Sequence, residues 1–94
     1  MLVEHQLDAR EMMHPEPFEK STAILQALRS GEYLRMLHRR IPYPLIDYCK
    51  ALNLNFLVDA ISQNSYEIII YFPTDIEDLN QESILKVKGK RVDL

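Results

Sequence analysis

The sequence predicts an α+β fold, a two-layer α/β sandwich of order β-α-β-α-β-β, with a mixed four-stranded sheet and two helices on one face. Three observations predict it. The breakers Pro15-Glu16-Pro17 and Pro42-Tyr43-Pro44 are each followed by apolar residues at helical spacing. Residues 33–39 alternate as a strand does. Two later apolar runs are separated only by Gln63-Asn64-Ser65, a connection short enough to imply an antiparallel hairpin.

Residues 5–9 read as a short first strand. In the following Met12-Met13-His14-Pro15-Glu16-Pro17, prolines mark a helix start, because a missing N–H costs nothing in a first turn. Glu16 and Glu19 there complement the positive end of the helix dipole. Phe18, Thr22, Leu25 and Leu28 continue the helix, flanked by Ile24, until Ser30-Gly31, where glycine can take a left-handed cap. In the next strand Leu34, Met36 and His38 share one side and Tyr33, Arg35, Leu37 and Arg39 the other. The second helix carries Leu45, Tyr48, Cys49 and Leu52 on its apolar face, with Asn53 or Asn55 as its cap. Residues 56–61 and 66–72 form the hairpin strands. Right-handed crossovers between parallel strands then place both helices on one face of the sheet.

Residues 1–73 form the predicted domain. Pro73 ends the fourth strand, and the tail, residues 74–94, is first acidic and then basic. It is expected to be partly disordered or packed on the sheet, with residues 84–87 able to add a strand. A chain of 94 residues suits one core. Its 47% hydrophobic and 27% charged composition is that of an ordinary globular protein. Eleven basic against fourteen acidic side chains give a net charge of −3, which argues against a general grip on nucleic acid. The apolar run ending at Tyr71-Phe72 is far below the roughly 20 residues of a membrane helix. No basic and apolar leader opens the chain, and the single cysteine, Cys49, has no internal partner, so the expected setting is cytoplasmic with no membrane association.

Leu7-Asp8-Ala9, His14-Pro15-Glu16-Pro17, a helix and then Gly31-Glu32 before a strand together resemble the TusA-like (SirA-like) sulfur-carrier superfamily, over roughly residues 7–72. That family opens with a strand ending Leu-Asp, starts its first helix with Cys-Pro-x-Pro and turns at Gly-Glu into its second strand. The resemblance implies the same fold. In the carriers the cysteine holds a persulfide, and a helix N-terminus can lower a thiol pKa to about 3.5–7.5. Here His14 stands at that position, and imidazole cannot carry a sulfane sulfur. The chain is more similar to the uncharacterised branch, a domain of unknown function that keeps Pro-x-Pro and lacks the cysteine. That branch brings no established activity with it.

His14 follows the first strand and His38 ends the second, so parallel neighbouring strands would bring both imidazoles to one rim, where open α/β sheets bind ligands. His14, Pro15, Glu16, Pro17, His38 and Arg39 are therefore the candidate ligand-binding residues, with Arg40 beside them and helix N-termini facing the same side. The anticipated occupant is an anion, or a metal or haem iron held by His14 and His38. The plainer alternative is structural: His38 hydrogen-bonded at the core's edge and His14 capping a helix. Two histidines are fewer than a zinc site needs, and no resident cofactor is expected. Glu16, ionised by the dipole, suits a spectator better than an acid catalyst. No catalytic residues can be read.

Cys49 reads as packed core, or alternatively as a sulfur-transfer or redox thiol. Tyr33, Leu37, Leu57, Ile69 and Tyr71 lie on the sheet face without helices, together with Ile61. Left open, that face is an interaction surface for a protein partner or homodimer; otherwise the tail covers it. Base stacking on Tyr33 and Tyr71 is disfavoured by the net charge. The expected function is a non-catalytic binding or interaction module.

Overall fold

Both proline-rich breakers open helices. In the computed structural model, which describes residues Met1 to Leu94, α1 (Glu16–Ala27) is preceded by Pro15 and α2 (Tyr43–Ala51) by Pro42, each helix carrying a second proline in its first turn. Strand β1 (Val3–Asp8) precedes α1, and β2 (Glu32–His38) lies between the helices. The hairpin is β3 (Asn55–Ser62) and β4 (Ser65–Tyr71). Asn64 takes φ +61° at its turn, which asparagine tolerates better than most residues. A 3₁₀ turn (Pro73–Asp75), α3 (Ile76–Gln81) and β5 (Lys90–Val92) complete the chain.

The sheet order is β1-β2-β4-β3-β5. β1 and β2 are parallel, Val3 facing Glu32 and Asp8 facing Leu37, while every other pair is antiparallel. Leu34 and Met36 of β2, Val58 of β3 and Ile68 and Ile70 of β4 meet Leu25 of α1 and Leu45, Ile46 and Cys49 of α2 in the larger core. Each fully buried aliphatic side chain there is worth about 1.5–3 kcal/mol of transfer free energy. The α+β sandwich with α1 and α2 on one face is thus the architecture observed, with five strands instead of four and a third short helix on the other face.

The remaining strand and helix come from the tail, which is ordered against the sheet. Leu79 of α3 and Leu85 pack with Tyr33, Ile69 and Tyr71 in a second core, joined by Leu57 and Ile84. The added strand is formed by residues 90–92 and not by 84–87; β5 pairs antiparallel with β3, Val92 opposite Val58. Gly89 makes the approach to β5 with φ +102°, where a Cβ would run into the carbonyl oxygen of Ala60.

The expected open face built on Tyr33, Leu37, Leu57, Ile69 and Tyr71 is therefore corrected. Tyr33, Ile69 and Tyr71 keep only 4%, 4% and 3% exposure, and Leu37 and Leu57 are half-buried. Period-2 alternation gives the sheet an apolar row on each side, and Leu79 and Leu85 supply the cover for the second.

Polar groups fasten that cover. Asp75 accepts the Gly31 N–H at 2.7 Å, joining the 3₁₀ turn to the start of β2. Asp59 accepts the Lys88 N–H at 2.9 Å and is paired with the Arg91 guanidinium. Glu67 receives both Lys88 Nζ at 3.1 Å and Arg35 at 2.8 Å, and Arg35 reaches on to Glu4 at 2.8 Å. Acids in mid-sheet are tolerable because each has its cation.

Candidate binding cleft

The parallel pairing of β1 with β2 sends both strand-to-helix connections to one rim. The backbone N–H of Ala9 donates to Leu37 O at 2.8 Å, so the register holds up to the point where the strands end. Between the two connections and the first turns of α1 and α2 lies a cleft of about 770 Å³. His14, Pro17, His38 and Arg39, four of the residues singled out from the sequence, line it together. Pro15 and Glu16 do not. Pro15 is the residue preceding α1, and the exposed Glu16 lies 3.8 Å from Lys20 one turn on.

The cleft is apolar over most of its wall. Met36, wholly buried in β2, lies at its base, and the exposed Met13, Phe18 and Tyr43 stand around it. Phe18 is braced edge-on by Tyr48, ring centroids 6.1 Å apart and planes at 85°. Ser21, fully buried in the lining, donates to Phe18 O at 3.1 Å.

His38 is the most deeply set ionisable group of the lining. It is only 7% exposed, and its Nδ1 accepts the backbone N–H of Arg40 at 3.3 Å. Burial, then the charges of Arg40 and Arg39, lower its pKa and keep the ring neutral. A neutral imidazole whose Nδ1 is an acceptor carries its proton on Nε2. Nε2 is thus a donor without a protein partner, on a ring that borders the cleft.

Positive charge accompanies it. Arg39 donates weakly to Met12 O at 3.5 Å and contacts the Met13 sulfur at 3.8 Å. Neither Arg39 nor Arg40 takes part in an ion pair, and no Asp or Glu lines the cleft. Each helix also begins with its first amide already engaged, Glu16 N–H to Met13 O and Tyr43 N–H to Ile41 O, and with proline at the next position. The first amides left open are those of Phe18 and Leu45, both residues of the lining.

Arg40, placed beside the site by the sequence, is part of the lining, whereas Phe18, Tyr43, Pro44 and the methionines are among the lining residues that the sequence did not assign to it. One signal could have found several of them. Pro15-Glu16-Pro17-Phe18 is repeated in form by Pro42-Tyr43-Pro44-Leu45, so the two halves of the rim are built alike.

No three of the His, Cys, Asp and Glu side chains converge to hold a metal ion. Coordination by His38 Nε2 would require the proton to move to Nδ1 and the Arg40 hydrogen bond to break. Cys49, on the buried face of α2, has no exposed surface, and burial pushes its thiol up to about 12. A carrier thiol needs the opposite, access and an easily formed thiolate. Native protein should resist a small alkylator at Cys49 until unfolded, as followed by mass spectrometry; rapid native labelling would restore the carrier role.

The fold and cleft define a small α+β domain with a preformed pocket at the helix N-termini. A family model described as "Uncharacterized conserved protein (DUF2249)" matches residues 6–70, and the chain belongs to that family. The match runs from the second half of β1 to nearly the end of β4 and includes every residue of the cleft. No curated protein is similar enough to match the chain, and no solved structure is either. No helix is long and apolar enough to cross a membrane.

Proposed function

We propose that this protein is a non-catalytic binding module of TusA-like type, with His14 in place of the carrier cysteine and a small-molecule site in the rim cleft. The observation that carries the reading is His38, a largely buried ring lining a cleft of ligand size, whose solvent-accessible Nε2 has no protein partner. Support for the TusA-like relation is the strand and helix order, together with the register of Leu7-Asp8, His14-Pro15-Glu16-Pro17 and Gly31-Glu32. In this fold the Glu32 carboxylate accepts the Arg29 N–H at 3.0 Å, which gives the Gly-Glu turn a structural role. The one thiol is sealed in the core, away from the rim. A cytoplasmic setting suits a protein whose lone cysteine is a free buried thiol.

The test is a screen of isotope-labelled protein by amide chemical shift against small acids, alcohols and amines. Perturbations grouped at residues 12–18 and 36–45 are expected. If no compound moves those signals, the binding reading fails. A second reading, haem iron or a metal ion between His14 and His38, draws on both imidazoles lining one cleft. Titration with haemin and with zinc decides it: no spectral or thermal change in wild type, as in His14→Ala, eliminates that reading.

A further inference from the structure

We infer that the ligand of this cleft is an amphipathic small molecule with a carboxylate head on an apolar body, an inference that rests on the binding reading above. The wall sets the body: Met13, Phe18, Met36, Tyr43 and their neighbours offer hydrocarbon, sulfur and ring faces but few fixed polar groups. A volume of about 770 Å³ admits a body of about ten carbons with room for its head. A strongly hydrated, multiply charged ligand would leave most of this wall unused.

The charge of the wall sets the head. The protein as a whole is acidic, at net −3, yet the cleft carries two arginines and no carboxylate. On the opposite face of the sheet Arg35 is paired with Glu4 and Glu67, Lys88 with Glu67 and Arg91 with Asp59. Arg39 and Arg40 are left without an acid, next to His38, a largely buried ring whose solvent-accessible Nε2 has no protein partner. Guanidinium forks match a carboxylate in geometry as well as sign. The His38 Nε2–H supplies a further donor without adding charge, and the open amides of Phe18 and Leu45 point the positive ends of two helices toward the same space. A cationic head would meet two like charges and no carboxylate. A neutral head would leave both guanidinium groups unanswered.

Decanoate, decanol and decyl phosphate share one body and differ in head, and each can be titrated by amide chemical shift below its aggregation concentration. Decanoate should move the amides of Phe18, Arg40 and Leu45 and bind at least about tenfold more tightly than decanol. Its affinity should fall with added salt. In an Arg39→Gln/Arg40→Gln variant with wild-type thermal stability, decanoate should fall to the level of decanol, and decanol should be unchanged. Should the variant not fold, the salt dependence in wild-type protein carries the same test. Equal binding of decanoate and decanol at the rim overturns the carboxylate head and leaves the binding reading standing. Tighter binding of decyl phosphate than of decanoate overturns the carboxylate in favour of a phosphate head. Failure of all three, while other compounds of the screen still bind at the rim, rejects the ligand class alone. An empty screen rejects both.

Discussion

Replacing Leu79 by alanine is expected to lower the stability of the whole domain by about 2–5 kcal/mol, the range for removing a buried leucine side chain. Leu79 is 1% exposed, and its partners Tyr33, Ile69 and Tyr71 belong to the central strands β2 and β4. Truncation leaves a void against those strands, and α3, only six residues long, cannot shift independently to fill it because Asp75 anchors its start to Gly31. Denaturant unfolding of wild type and variant measures the difference. A loss under about 1 kcal/mol would mean that the tail is a loose appendage and not the second core. The same variant should keep its rim signals in the folded state, because the cleft lies against the opposite face of the sheet.

The second large effect is expected at Arg35. Its guanidinium joins Glu4 and Glu67, each at 2.8 Å, and its side chain is 18% exposed. Arg35→Ala leaves two largely covered carboxylates with fewer partners, although Lys88 still reaches Glu67. A loss of about 1–3 kcal/mol is expected, below the 3–5 kcal/mol of a fully buried pair because water still screens part of the network.

Its pH dependence distinguishes an electrostatic from a packing effect. Burial raises the Glu4 carboxyl, but hydrogen bonds from Gln6, Tyr33 and Arg35 outweigh it and bring the pKa down from 4.5 to about 2. A group depressed on folding contributes stability that is fully present above its unfolded pKa and lost as pH falls toward the folded value. The gap between wild type and Arg35→Ala should accordingly be widest above about pH 4.5 and shrink as pH approaches 2. Unfolding midpoints collected across that window test it. A gap that stays constant with pH would assign the loss to packing of the arginine stem instead.

The helices and the first four strands were legible because their signals are local. Proline in a first turn, acids beside it, glycine at a helix end and period-2 alternation each act within a few residues, and all agree over residues 5–72. Observed bounds differ from the expected ones by a residue or two, as with β2 at Glu32–His38 against an expected 33–39. The tail was not legible in the same way. Its acidic-then-basic composition looks like a solvated segment, and a few scattered residues, Leu79, Ile84, Leu85, Gly89 and Val92, distinguish it from one. What orders it is a surface formed by strands far away in sequence.

The candidate site divides similarly. That His14 and His38 share a rim follows from a topological rule about parallel strands, and rules of that kind can be applied to a sequence. That Glu16 turns away while Tyr43 lines the cleft depends on the rotation of each helix about its axis, which no spacing within one helix reveals.

By itself, then, the sequence determined the order of elements, the face on which the helices lie and the end of the sheet where the histidines gather, because short-range backbone preferences and chain chirality decide these. Only the tertiary structure decided that the other face is closed by the tail, that Cys49 is sealed, and that two arginines meet no acid beside a buried imidazole. Those outcomes depend on burial and charge pairing among residues up to several tens of positions apart, such as Arg35 with Glu67 or Asp59 with Arg91, where partners are chosen by the folded surface and not by the neighbouring chain.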